Sequence, residues 1–339
     1  MAENVMEQIV AELRQRVPAL YPRRGELRNI RTVGHTPKSD HFIYDLVADF
    51  SNGNERIAVK LYRGGKQGPQ HARNQAHTEY TNLEQVYEQF VQHDLAGVPR
   101  PLGNFSALGA VVTEKIPGLP LQSMMMKAAL LPGYDDHRSL RDAASKAGDW
   151  LRNFHTLTAD APQIFDPQQL LADLENLCVN CRGAGLDDDA IQMILTGAQN
   201  SLSKAKHSIP TSAVLNDFTP LNISVTEEGI AICDYGKMTM RGASYTDAAR
   251  FLAAVEALEK YPFCNRDMTG RVQDAFLEAY NVSAADQAVL RVMKMRTLLS
   301  MFAQGRGIKE SAVRKKVMWA TVMKRFIQQA ASRSLAPAA

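Results

Sequence analysis

Val5, Ile9, Leu13 and Val17 recur every fourth residue. That is the spacing of an amphipathic helix over residues 1–17, and Pro18 is expected to stop it. Then the period falls to two. Leu27 to Val33 predicts a first strand, Phe42 to Ala48 a second and Ile57 to Tyr62 a third. Ser51-Asn52-Gly53-Asn54 reads as the hairpin turn between the last two, and Gly34 to Asp40 as a polar loop between the first two. A Gly- and Gln-rich loop, Arg63 to Gln75, leads to a helix over Ala76 to His93 carrying Tyr80, Leu83, Val86, Tyr87 and Phe90. Val98 to Phe105 and Ala110 to Glu114 complete five strands.

Pro117-Gly118-Leu119-Pro120 breaks the pattern and marks a lobe boundary. Helical spacing then dominates, over 139–157, 167–181, 187–207, 246–260, 268–280, 284–304 and 309–330. A short β insertion, Ala213 to Cys233, interrupts it. The plan is α+β in two lobes: a helical extension over 1–27, a first lobe over 28–116 and a second over 117–339. The 339 residues agree with roughly two units at about 150 residues each.

Composition excludes several classes. Apolar residues are 45% of the chain and charged residues 22%, ordinary globular values. A net charge of +3 gives no nucleic-acid signal, and four cysteines are too few for a disulfide scaffold. The chain contains no apolar run long enough to span a membrane, and Glu3 and Glu7 do not fit a secretory leader. A soluble, cytoplasmic protein is expected.

The strongest chemical feature is Asp217-Phe-Thr-Pro-Leu-Asn222 followed by Ile232-Cys-Asp234-Tyr-Gly236. A hairpin turning at Glu227-Glu228-Gly229 could bring Asn222 and Asp234 together as oxygen ligands for Mg²⁺, with Asp217 beside them as a base. Taken singly, Asp217 reads better as a helix or turn cap and Asp234 as a turn residue. Lys60 ends an apolar strand, where an ammonium needs a partner. Glu79, on the next helix, could supply it. A lysine for phosphates, a glutamate holding it, a metal-binding Asp and Asn, and an Asp for a hydroxyl are the parts of phosphoryl transfer.

These segments resemble the aminoglycoside phosphotransferase and choline kinase-like family, small-molecule kinases with a protein-kinase-like fold. Val59-Lys60 resembles the family's ATP lysine strand, and Thr78-Glu79-Tyr80-Thr-Asn-Leu83 its glutamate helix. Val98-Pro-Arg-Pro101 and Val112-Thr-Glu-Lys-Ile-Pro-Gly118 are similar to a strand opening and a hinge. Leu151-Arg-Asn-Phe-His155 and Tyr245-Thr-Asp247-Ala-Ala-Arg250 resemble two helices that support the catalytic loop. The resemblance runs from about Asn29 to Tyr280. It implies a bilobal kinase-like fold with a five-stranded first lobe carrying one helix and a mostly helical second lobe. It implies ATP held at the Glu114 carbonyl and Ile116 N–H, with Thr113 as gatekeeper, and a hydroxyl acceptor. There are departures. Leu215 stands where the family has a His, Asp-Tyr-Gly replaces Asp-Phe-Gly, and Gly34 is the phosphate loop's one glycine. Lys38 or Ser39 is expected to compensate. The chain lacks the Gly-rich loop and the Ala-Pro-Glu segment of protein kinases.

Charge is uneven. Residues 160–200 hold seven acids and one base, a balance of −6, and 291–333 hold eleven bases and one acid, a balance of +10. The first could line an acceptor pocket or simply start a solvated helix. The second could meet an anionic membrane or glycolipid, or neutralise its neighbours. Cys178-Val-Asn-Cys181 lacks the second pair of a zinc site and reads as two helix-face thiols. His155 reads as structural, and Cys233 is expected to be buried. A non-catalytic nucleotide-binding scaffold is the alternative, favoured by Leu215.

Overall fold

The computed structural model describes residues 2–130, 137–183, 186–203, 205, 208–261, 264–306, 322 and 324–335. In chain order they form α1 (Ala2–Leu20), β1 (Leu27–Pro37), β2 (His41–Phe50), β3 (Gly53–Tyr62), α2 (Pro69–Gln92), β4 (Pro101–Phe105), β5 (Ala110–Glu114) and β6 (Leu119–Pro120). Then come α3 (Leu121–Leu130), α4 (His137–Leu157), β7 (Asp160–Ile164), α5 (Pro167–Gly183), α6 (Asp188–Leu202) and β8 (Ser208–Val214). β9 (Ile223–Val225), β10 (Ile230–Ile232), β11 (Thr239–Ala243), α7 (Tyr245–Glu256), α8 (Arg266–Tyr280), α9 (Gln287–Arg306) and α10 (Lys324–Leu335) complete them. The α+β class is as expected. The chain divides into two compact units: Met1–Leu119 with Ser224–Met238, and Pro120–Ile223 with Thr239–Ala339.

The first unit is built on an antiparallel sheet in the order β1-β2-β3-β5-β4. Period two divides its faces. Leu46, Ala48 and Phe50 of β2, Ile57, Val59 and Leu61 of β3, and Ala110 and Val112 of β5 enter one buried cluster. Met6, Ile9, Leu13 and Val17 of α1 close it, so the N-terminal helix is part of this unit's core. The alternate residues, His41, Ile43, Ala58, Lys60, Tyr62, Val111 and Thr113, face the other way. There α2 buries Ala72, Ala76, Glu79, Asn82, Leu83, Val86 and Phe90.

Several boundaries differ from expectation. Pro18 lies inside α1 rather than ending it. It sits in the last turn, where one lost N–H bond is tolerated and the helix is ending anyway. β1 runs on to Pro37, so the polar loop contracts to Lys38-Ser39-Asp40, closed by the Lys38 N–H donating to the His41 carbonyl at 2.9 Å. Gly34 consequently lies in the strand opposite Asp45, just past a register shift. α2 begins at Pro69, seven residues early, because proline suits a first helical turn.

The second unit packs α4 on α8 and α7 on α9 around Trp150, Phe154, Phe218, Phe251 and Phe276. β8 does not join the β insertion as expected. It is the middle strand of a separate sheet in the order β11-β8-β7, whose outer strands the sequence pattern did not suggest. β7 is exposed throughout and has no apolar alternation to read. Most of the expected helix over 309–330, with Lys309, Arg314, Lys315 and Lys316, lies outside the described residues.

Candidate active site

Within the first unit, Lys60 is the only charged residue in the run Ile57-Ala-Val-Lys-Leu-Tyr62. The pleat turns it away from α1, toward α2. Its Nζ lies 3.0 Å from Glu79 Oε1 and 3.0 Å from Asp234 Oδ1. Its side chain is 14% exposed, that of Glu79 2% and that of Asp234 34%. The structure thus brings three of the expected site residues together from a strand, a helix and the segment after β10.

Residues the sequence reading missed complete the cluster. The Tyr62 hydroxyl donates to Glu79 Oε2 at 2.5 Å. Tyr62 shares Lys60's face because it is two residues on, and that spacing was the available signal. Asn82 lies three residues after Glu79 on the same face of α2. Its Nδ2 donates to the carbonyls of Tyr235 (3.0 Å) and Met238 (3.2 Å). The Tyr235 N–H donates to Glu79 Oε1 at 3.3 Å. The segment after Asp234 is therefore tied to α2 at both ends.

The electrostatics follow from burial and partners. Burial works against the charge on Lys60, but Glu79 and Asp234 outweigh it and hold the ammonium well above the usual lysine range. Burial also opposes ionisation of Asp234. Lys60 and the Gly236 N–H overcome it and hold that carboxyl below its usual range. Burial, opposed by Lys60, raises Glu79. Burial and then Glu79 raise Tyr62, which keeps its hydroxyl a donor. One ammonium faces two carboxyl groups here, and Asp234, held ionised and partly exposed, suits a further cation.

Gly236 has a steric role here. A Cβ at this position would lie 2.7 Å from the Tyr62 hydroxyl and 3.4 Å from Asp234 Oδ1. Gly236→Ala is therefore expected to destabilise the protein by ~1–3 kcal/mol through overpacking. Adding Tyr62→Phe should recover part of that loss, because the colliding atom is gone. Urea denaturation of the two single variants and the double variant measures the coupling. Strict additivity would show that the contact does not limit the site.

The other expected residues of this unit lie at or near strand ends. Thr113 pairs with Ala58 in β5, and Glu114 is half-buried after it. The Glu114 N–H donates to the Arg100 carbonyl and the Lys115 N–H to the Arg56 carbonyl, both at 2.9 Å. Burial and the nearby Glu55 raise the Glu114 carboxyl, with Arg100 opposing. Ile116 follows, partly buried. The Ser39 hydroxyl donates to Asp40 Oδ1 at 3.3 Å in the β1–β2 turn. Cys233 is exposed, against expectation, because β10 ends one residue before it.

Asp217 and Asn222 belong to the second unit. There the loop after β8 is fixed at several points. Asp247, fully buried at the start of α7, accepts the N–H groups of Leu215 (2.7 Å) and Asn216 (2.9 Å). Asn216 adopts φ = +61°, a left-handed conformation that asparagine tolerates. Phe218 is buried against Trp150 and Phe251. Asn222 Nδ2 donates to the Asp217 carbonyl at 3.0 Å, closing the loop. That bond commits the amide nitrogen and leaves Oδ1 to meet a cation. His155 is buried between the Tyr280 hydroxyl (2.9 Å) and Asp247 (3.4 Å). Cys178 and Cys181 are buried on α5, and burial pushes their thiols up to about 12 and about 11. Among the described residues, no group of three or more His, Cys, Asp or Glu could hold a metal ion. Mg²⁺ needs less: one or two protein oxygens besides phosphate and water.

Much of the acidic stretch has structural partners. Asp187 caps α6 through the Ala190 N–H, Asp188 pairs with Arg182 at 2.7 Å, and Asp173 with Arg296 at 3.2 Å. In the basic stretch, Lys294 meets Glu256 at 2.5 Å. No helix is long and apolar enough to cross a membrane among the described residues.

No protein-family model and no curated protein sequence matches the chain. Solved structures do. An amicoumacin kinase in complex with AMP-PNP, Ca²⁺ and Ami aligns with a TM-score of 0.52 at 13% identity, over 93% of each chain. The apo form of a thermostable mutant of aminoglycoside phosphotransferase APH(4)-Ia aligns with a TM-score of 0.50 at 14% identity, over 94% of this chain and 99% of that one. The chain thus has the protein-kinase-like fold found in these small-molecule kinases.

Proposed function

We propose that this protein is an ATP- and Mg²⁺-dependent phosphotransferase that phosphorylates a hydroxyl group of a small molecule. The observation that carries the reading is the Lys60 ammonium, buried and held at 3.0 Å from both Glu79 and Asp234. An isolated structural ion pair has no need of a second carboxylate or of a glycine that admits Tyr62. The amicoumacin kinase of the same fold, solved with AMP-PNP and Ca²⁺, supports a nucleotide and a divalent cation.

Metal-bound ATP supplies the phosphoryl group. Lys60 is the cation for its phosphate oxygens, and Glu79 with Tyr62 keeps that ammonium in place. Asp234 and Asn222 offer the hard oxygens that Mg²⁺ accepts. Asp217 orients the acceptor hydroxyl and takes its proton. Thr113, the Glu114 carbonyl and the Ile116 N–H hold the adenine, and the Ser39 hydroxyl serves the phosphates. Catalysis is then positioning and charge stabilisation.

Among acceptors, the +10 balance of residues 291–333 favours a sugar of a cell-surface glycan or glycolipid at an anionic surface. Lys294 and Arg296, neutralised by Glu256 and Asp173, subtract from that charge. Leu215 favours a second reading, a nucleotide-binding scaffold, because its buried apolar side chain offers none of the polar contacts of the family's His.

The test is transfer of label from γ-labelled ATP to sugars, amines and glycolipid extracts. Label is expected on a hydroxyl acceptor, and the transfer is expected to disappear in EDTA. ATP binding without transfer to any acceptor would favour the scaffold. Absence of ATP binding would remove both readings.

A further inference from the structure

The β1–β2 turn is poor in glycine. Gly34 is not at its tip but lies in the strand, where a Cβ would meet Asp45 Oδ2 at 3.3 Å. A cradle of glycine amides for phosphate is therefore not available at this turn. What the turn does present is an acid–imidazole pair. The Lys38 N–H donates to the His41 carbonyl at 2.9 Å, and the Arg63 N–H to the Asp40 carbonyl at 2.8 Å. His41 Nδ1 lies 2.9 Å from Asp40 Oδ1. The imidazole is 12% exposed, and its ring centroid lies 5.9 Å from that of Tyr62. His41 pairs with Tyr62 and Ile43 with Lys60 across the β2–β3 ladder, so His41 and Lys60 share the face that turns away from α1.

We infer that His41, oriented by Asp40, is a second phosphate-binding cation of the nucleotide site, acting where a glycine-rich loop is missing. The inference rests on the reading of the Lys60 cluster as a nucleotide site. Asp40 fixes the tautomer: Nδ1 carries its proton toward the carboxylate, and Nε2 is the atom that can face a ligand. Burial and the adjacent Lys60 lower the ring's proton affinity, while Asp40 and Asp234 raise it. Of the other polar groups at the turn, Tyr62 and Ser39 carry neutral hydroxyls, Ser39 sharing Asp40 Oδ1 with the ring, and Lys38 and Arg63 are basic. The free protein thus holds a neutral imidazole next to an ammonium. An incoming polyphosphate reverses that balance. Nε2 takes up one proton and donates to a phosphate oxygen, so the site gains a positive charge only when its anionic ligand is present.

The experiment is isothermal titration of the full chain with ATP in EDTA, which keeps metal out of the comparison. Adenosine is the phosphate-free control. Runs at pH 6, 7 and 8, in buffers of different ionisation enthalpy, count protons taken up. The free nucleotide's phosphate ionisation near pH 6 is common to all variants, so a difference in proton count reports the bound state. Relative to wild type, His41→Gln is expected to weaken ATP binding about tenfold at pH 6, the loss of one charge-assisted hydrogen bond. It is expected to bind adenosine normally and to abolish the extra proton uptake. Asp40→Asn should reduce the uptake without abolishing binding. Wild-type ATP binding with an unchanged His41→Gln affinity and proton count overturns the role of His41 alone. Wild-type protein that binds adenosine and ATP equally overturns the phosphate-binding role of the turn, and wild-type protein that binds ATP neither in EDTA nor in a parallel titration with Mg²⁺ overturns the nucleotide site itself and this inference with it.

Discussion

Replacing Asp217 with Asn is expected to lower turnover by about two to four orders of magnitude, the usual contribution of a general base, with ATP affinity unchanged. Asn is nearly isosteric, and three contacts that shape this loop are made by other groups. The Asp217 carbonyl accepts from Asn222, the Leu215 and Asn216 N–H groups go to Asp247, and Phe218 is held by Trp150 and Phe251. The fold should therefore survive and the loop should keep its path. What is lost is an acceptor for the proton of a hydroxyl. Steady-state kinetics on the acceptor found by label transfer give kcat, and a thermal-shift titration gives ATP affinity. A variant that keeps full kcat would remove Asp217 from the chemistry. A variant that loses ATP binding would show that the residue serves the nucleotide instead.

Several parts of the molecule were legible in the sequence because one local rule decided them. Alternation over Ile57 to Tyr62 gave β3 and exposed Lys60 as a misfit. The helical spacing of Tyr80, Leu83, Val86 and Phe90 gave most of α2 and placed Glu79 on it. What the sequence hid depends on pairing between distant segments. β7 and β11 exist because β8 lies between them, and neither carries the alternation of a half-buried strand. Lys38 to Asp40 could be either loop or turn until the register of β1 against β2 was known. Cys233 looked buried by analogy with a strand that stops one residue earlier. Tyr62, Asn82 and His41 are ordinary residues by type. Their places beside Lys60 and Asp234 follow from pleat, helix face and turn geometry, each of which needs the folded chain. The acidic and basic stretches show the reverse case: a strong pattern that the structure partly resolves into a helix cap and ion pairs.

Asp247 offers the largest expected loss of stability from one side chain. It is fully buried and accepts three groups: the Leu215 N–H, the Asn216 N–H and, more weakly, the His155 ring. Hydrogen bonds to a charged group contribute about 1.5–3 kcal/mol each, and donors left buried without an acceptor cost a similar amount. Asp247→Ala also removes the anchor of Asn216, whose positive φ asparagine tolerates but does not prefer. The expected destabilisation is ~3–5 kcal/mol, a fall in melting temperature on the order of 10 °C for a unit of this size. Turnover should fall with it, because Leu215 and Asn216 lead directly into Asp217. Asp247→Asn is the sharper probe. It keeps one carbonyl acceptor and places an amide against the other N–H, so it should lie between wild type and Asp247→Ala in stability. ATP affinity should hold in both variants, since Lys60, Glu79 and Tyr62 make their cluster within the first unit. Thermal melts with and without ATP, read beside kcat, separate the two effects. If Asp247→Ala melts like wild type and turns over at full rate, the loop is held by Phe218 and Asn222 alone, and the buried carboxylate plays no part in placing Asp217.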